Sequence, residues 1–162
     1  MTELFLGCAL LVMLFGSVVF FGAPYLPTLK RGTTEALDLL NLKPGQVLVE
    51  LGSGDGRVLR AAASRDIKAI GYEINPILVL YSRLRCMRQR KLITIRWANY
   101  WRVPLPACDG IYVFLFKTYM SKLDKKIIIE AQKPLKLVSF AFTIPNRKPI
   151  KQKNGLFLYR YK

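Results

Sequence analysis

Between Val49 and Arg57 the chain reads Val-Glu-Leu-Gly-Ser-Gly-Asp-Gly-Arg. Gly52, Gly54 and Gly56 stand at alternate positions, so the backbone can turn sharply and approach a ligand with no Cβ in the way. Ser53 lies among them, and the carboxylates of Glu50 and Asp55 flank them. A further carboxylate, Glu73, closes the next apolar run, Lys68–Tyr72. An acid in that position can accept hydrogen bonds from both hydroxyls of a ribose. Glycines and acids together point to a ligand built on adenosine.

Two adenosine ligands compete for this arrangement. The dinucleotide fingerprint G-x-G-x-x-G places its third glycine where Arg57 stands. Gly52, Gly54 and Gly56, preceded by Glu50, instead follow the G-x-G-x-G pattern of class I methyltransferases. Their cofactor, S-adenosyl-L-methionine, carries a sulfonium and an ammonium and no phosphate. Glu50 and Asp55 suit those charges and would repel a pyrophosphate. A third contact is expected after the third strand, in Ala98-Asn99-Tyr100-Trp101. The Asn99 side-chain oxygen can accept from the adenine amino group. Tyr100 and Trp101 either pack on the ring or serve as core or membrane-interface aromatics.

Absent residues narrow the chemistry further. The chain has no histidine, which removes His-based catalysis, and no metal is expected. Its three cysteines show neither metal-ligand spacing nor a disulfide framework. No general base stands out. Tyr25, Thr28, Tyr112, Lys117 and Tyr119 are the candidates for the acceptor side.

Alternating strands and helices must position these residues. Thr33–Leu42 reads as an amphipathic helix and Val47–Leu51 as a buried strand. A helix over Arg57–Ser64 follows the glycine loop, and Lys68–Tyr72 is the second strand. Pro76–Arg90 reads as a helix whose apolar face uses Ile77, Leu80, Leu84 and Met87, with Pro76 in its first turn. Leu92–Trp97, Gly110–Phe116, Leu135–Phe142 and Leu156–Tyr161 are further strands, with a helix over Tyr119–Gln132. Lysine-rich Asn146–Lys153 reads as an exposed loop. The fold expected is α/β: a Rossmann-like class I methyltransferase sheet, parallel, with helices on both faces.

The N-terminal part differs in kind. Leu4–Leu29 holds no charged residue, and about 20 apolar residues suffice for a helix to cross a bilayer. Residues 1–29 are therefore expected to form a transmembrane anchor with a Pro-containing linker, and residues 30–162 the methyltransferase domain. Lys30 and Arg31 follow the apolar run directly. The positive-inside rule then predicts a single-pass protein with its domain on the cytoplasmic, or mitochondrial matrix, side. The net charge is +16, and Glu3 is the only charge before Lys30. Such a domain is drawn to anionic surfaces: acidic lipid headgroups, RNA or acidic proteins.

With these residues in view, the sequence resembles the membrane-anchored lysine methyltransferases that modify the ATP synthase c-subunit and the adenine nucleotide translocase, with their bacterial relatives. The resemblance rests on Gly22-Ala23-Pro24-Tyr25-Leu26-Pro27, Glu50–Arg57, Gly71-Tyr72-Glu73-Ile74-Asn75-Pro76 and Leu80-Tyr81-Ser82-Arg83. Asn99 stands where the family carries an acidic residue. The resemblance implies S-adenosyl-L-methionine as cofactor and a lysine of a membrane protein as acceptor. An RNA methyltransferase is the alternative that the charge favours. Against it, Phe114-Leu115-Phe116-Lys117 replaces the Asn/Asp-Pro-Pro-Tyr motif of base amino-group methylation. A non-catalytic membrane module that keeps a nucleotide-binding fold is the third reading.

Overall fold

The computed structural model describes residues 30–162. Seven strands form one sheet: β1 (Val47–Leu51), β2 (Lys68–Glu73), β3 (Ile93–Trp97), β4 (Gly110–Val113), β5 (Leu135–Phe140), β6 (Lys151–Lys153) and β7 (Leu156–Tyr161). Their spatial order is β3-β2-β1-β4-β5-β7-β6. The first five pair in parallel, and the order reverses between β1 and β4. That reversal is where open α/β sheets leave a crevice beyond the strand ends.

The sheet is mixed, which corrects the expectation of a parallel one. β7 runs antiparallel to both β5 and β6. No helix intervenes between β5 and β7, so the chain turns back without the crossover that a parallel neighbour requires. β6 was expected to be loop. Asn154 and Gly155 join it to β7, both at positive φ, 49° and 76°. Two such residues make the hairpin turn whose twist matches the flanking strands. The exposed lysines of Lys151–Lys153 concealed that strand; the Asn-Gly pair announced it.

Both faces of the central strands are buried, so their successive residues feed two cores. On one face Leu48, Ala69, Ile93, Ile95, Tyr112 and Val138 pack under α1 (Lys30–Leu40), α2 (Arg57–Ala63) and α3 (Pro76–Arg85). On the other, Val49, Leu51, Ile111, Val113 and Leu137 meet Met120, Leu123 and Ile127 of α4 (Lys117–Glu130). Each fully buried Leu or Ile side chain contributes about 1.5–3 kcal/mol. Leu105 and Cys108 complete the second core from the segment between β3 and β4, which holds no helix.

α3 is seated differently from its sequence pattern. It ends at Arg85, and a 3-10 turn, Met87–Gln89, follows. Ile77, Leu80, Leu84 and Met87 all face outward, Leu80 at 62% exposure and Leu84 at 57%. The buried residues are Val79, Ser82 and Cys86. Close approach explains the rotation. A Cβ on Gly56 would lie 2.9 Å from Cys86 Sγ and 3.3 Å from Ser82 Cβ. Only a face of small side chains lets the helix lie against the glycine loop, so the larger apolar residues turn away.

The expected transmembrane anchor, residues 1–29, lies outside the described residues. Among the described residues no helix is long and apolar enough to cross a membrane. The longest, α4, has 14 residues and carries Lys117, Lys122, Lys125 and Lys126, where about 20 apolar ones are needed. The single-pass membrane placement, with its cytoplasmic or matrix-side domain, is corrected accordingly.

Candidate functional site

The glycine loop leaves β1 after Leu51 and is pinned to β2. Gly52 and Ser53 both donate their amides to the Tyr72 carbonyl, each at 2.9 Å. Gly52, Gly54 and Gly56 have φ of +84°, +51° and +73°. That left-handed conformation costs a residue with a Cβ about 1–2 kcal/mol. Arg57 then opens α2.

Glu73 ties the two strand ends together. Its Oε2 accepts from the Gly54 amide at 2.9 Å, and its Oε1 accepts from the Ile74 and Asn75 amides, each at 2.9 Å. A carboxylate offers about four acceptor positions, so a ribose hydroxyl finds one open on Oε2. Asn75, part of the motif that carries the resemblance, had no role assigned from the sequence. It caps α3, its Oδ1 accepting from Ile77 at 2.9 Å and Leu78 at 3.4 Å. An Asn directly before a first-turn Pro is a readable helix start.

The two loop acids have different partners. Asp55 is buried, and Arg57 meets its Oδ1 at 2.9 Å while Arg85 meets its Oδ2 at 2.6 Å. Burial alone would raise the carboxyl. Hydrogen bonding and charge from Arg57, with the charge of Arg85, outweigh it and hold Asp55 below its usual value. Its charge is thus already answered within the protein. Glu50 is also buried, but its Oε2 has no hydrogen-bond partner. Burial first, then the charges of Asp55 and Glu73, push its carboxyl well up; Arg57 opposes them. A buried carboxyl oxygen without a hydrogen-bond partner is costly and is relieved by a ligand that brings a donor or a cation. Ser53 Oγ is a second buried polar atom without a partner in the same loop.

The segment after β3 comes back to Glu73, whose carbonyl accepts from the Ala98 amide at 3.0 Å. Asn99 Oδ1 accepts from the Trp101 amide at 3.0 Å, which forms the local turn and leaves its second lone pair for a ligand. Tyr100 is half-buried. Its hydroxyl is pushed up by burial first, then by Tyr119 and by Glu73. Its ring centroid lies 4.8 Å from that of Trp101, which lies 6.0 Å from Tyr119. Glu50, Gly52, Ser53, Gly54, Asp55, Gly56 and Glu73 are thus brought together, with Asn99 and Tyr100 beside them.

The acceptor-side candidates separate. Tyr112 is buried in β4, in the core under the first three helices, opposite Glu50 in register. Lys117 and Tyr119 are exposed in the first turn of α4. Tyr25 and Thr28 lie outside the described residues. Buried Cys86 and Cys108 are pushed, mainly by burial, to about 11 and about 12. Neither is a ready thiolate.

A glycine cradle, a carboxylate at the end of β2 and a buried acid with one unsatisfied oxygen fit S-adenosyl-L-methionine, whose far end is cationic. They do not fit a pyrophosphate.

Known proteins match this chain. The solved structure of an RNA methyltransferase from Salinibacter ruber, in complex with S-adenosyl-L-homocysteine, superposes with a TM-score of 0.76 at 26% identity. It covers 84% of this chain and 92% of that one. The lysine N-methyltransferase of the ATP synthase c-subunit from Xenopus laevis is 34% identical over 128 residues, 78% of this chain and 56% of its own length. The adenine nucleotide translocase lysine N-methyltransferase of Mus musculus is 34% identical over 130 residues, with the same coverages. The chain spans little more than half the length of these two relatives, 56%. The family model described as the ANTKMT methyltransferase domain matches residues 50–151, from Glu50 of the glycine loop to the start of β6. On that match, this chain belongs to the ANTKMT methyltransferase domain family.

Proposed function

We propose that the chain uses S-adenosyl-L-methionine to methylate a lysine of a membrane protein. The observation that carries this reading is the buried, unpaired Glu50 oxygen in the glycine loop, an acid suited to a ligand with a cationic end. Bound S-adenosyl-L-methionine supplies a methyl on sulfonium, whose carbon–sulfur bond breaks, its electron pair left on sulfur, as the lysine nitrogen bonds to carbon and releases a proton to water. Glu73 and the Gly52–Gly56 loop hold the adenosine, Asn99 and Tyr100 flank the adenine, and Glu50 faces the cationic end.

The acceptor amine must be neutral to attack, and its ordinary pKa is about 10.4. A proton must therefore leave the lysine ammonium before transfer. The lysine acceptor is supported by the names of the relatives from Xenopus laevis and Mus musculus. The net charge of +16 suits an anionic lipid surface around such a substrate.

Methylation of RNA is the second reading, favoured by the Salinibacter ruber structure and by the charge. Calorimetric titration of S-adenosyl-L-methionine into the full chain tests the cofactor, with Glu73→Ala as control. Labelled methyl transfer to membrane proteins, set against transfer to total RNA, then decides the acceptor. Label in lysine supports the first reading, and label confined to RNA replaces it. Absence of cofactor binding by the folded chain overturns both.

A further inference from the structure

We infer that Trp101 and Tyr119 form the acceptor subsite of this domain, an aromatic slot for a lysine ammonium, with Lys122 marking the cation's place. The inference rests on the lysine methyltransferase reading and adds the residues that select the acceptor.

Placement comes first. Tyr100 and Trp101 follow closely on Ala98, whose amide is bonded to the Glu73 carbonyl. Tyr119 stands in the first turn of α4, which follows β4, and β4 pairs with β1. The three rings therefore run from the ribose carboxylate toward the strand end where the sheet order reverses. Trp101 is half-buried and Tyr119 is 45% exposed, so the slot opens to solvent.

Occupancy comes second. Lys122 Nζ lies 4.6 Å from the Trp101 ring centroid. Other cations rest on rings among the described residues, but each also has an oxygen partner. Arg85 meets Asp55, Arg96 meets the Tyr72 hydroxyl and Arg147 meets Asp124. Among the described residues Lys122 has none, and its ammonium lies over the Trp101 face at the solvent-exposed surface. A compact ammonium, rather than a planar guanidinium, thus already sits there.

The chemistry agrees. In methyl transfer the positive charge passes from sulfur to the acceptor nitrogen. Aromatic faces at the nitrogen end meet that charge where it develops. An incoming lysine takes the place of Lys122 on Trp101.

Trp97→Phe leaves Trp101 as the sole tryptophan of the full chain, since there are two. Its emission is followed, with S-adenosyl-L-homocysteine present, against Nα-acetyl-lysine methylamide, the Nε-acetylated counterpart and a uridine oligoribonucleotide. The lysine compound should give a saturable change and the neutral one should bind about tenfold more weakly, or about 1.4 kcal/mol. Lys122→Met should tighten binding of the lysine compound about threefold, and Tyr119→Ala should weaken it by about tenfold. Both positions are exposed, so these variants are expected to fold. An equal response to the neutral compound, a response to the oligoribonucleotide alone, or no tightening in Lys122→Met overturns the subsite. Labelled methyl transfer to membrane-protein lysines, run in parallel, separates the two claims. Transfer without these responses places the subsite elsewhere, whereas absence of lysine transfer removes the underlying reading.

Discussion

The Gly54 amide donates to Glu73 Oε2 at 2.9 Å, so the carboxylate proposed to bind a ribose also holds the glycine loop in shape. Loop and acid come from the ends of neighbouring parallel strands, in a register that sets Leu51 opposite Tyr72. One side chain thus links preorganisation of the site to ligand affinity.

Glu73→Ala should therefore act twice. It leaves the Gly54, Ile74 and Asn75 amides without their acceptor, at about 1–3 kcal/mol for each one that stays buried. Calorimetry should show cofactor affinity reduced at least about tenfold, and thermal unfolding should show a lower Tm. Affinity equal to the parent's would remove Glu73 from the site.

Glu50 makes a prediction in pH. Burial raises its carboxyl in the folded state, so between the unfolded and folded values the folded domain binds more protons than the unfolded chain. Stability from this group is present below the unfolded value, about 4.3, and is lost as pH rises through the folded one. Glu50→Gln should raise the Tm of the ligand-free protein increasingly above about pH 4, yet weaken S-adenosyl-L-methionine binding. The cationic ligand should also drive a proton off Glu50. Binding heats in buffers of different ionisation enthalpy would then diverge for the parent and coincide for Glu50→Gln.

Gly56→Ala should strain the loop in two ways. Its φ of +73° costs about 1–2 kcal/mol, and its Cβ would meet Cys86 Sγ at 2.9 Å. Adding Cys86→Ala should recover the overlap and leave the backbone strain. A double-mutant cycle in urea measures the coupling; strictly additive losses would show that the helix does not press on the loop.

The seating of α3 is open to the same kind of test. Leu80→Lys and Leu84→Lys should each change stability by no more than about 0.5 kcal/mol, because both side chains are exposed. Ser82→Leu should destabilise by about 1–3 kcal/mol through overpacking. The reverse ranking in urea unfolding would restore the face read from the sequence pattern.

Segments whose structure follows from neighbouring residues were legible in the sequence. The cradle over Gly52–Gly56, the acid at the end of β2 and the run of parallel strands are local patterns of glycine, charge and apolar runs. The Asn154-Gly155 turn is an equally local signal, but it went unread, and the lysine-rich stretch before it reads in sequence as a loop. Residues far apart in the chain were not legible, because their meeting depends on how the elements pack. Asp55 looked as available to a cation as Glu50 until Arg85, from α3, came to lie 2.6 Å from it. In sequence Trp101 reads as packing on the adenine or as a core or interface aromatic, and only the packing of α4 shows Tyr119 and Lys122 beside it. The outward turn of Leu80 and Leu84 follows from the close approach of Cys86 to Gly56. Periodicity along α3 defines an apolar stripe, but the backbone's closest approach to the loop decided which side faced inward.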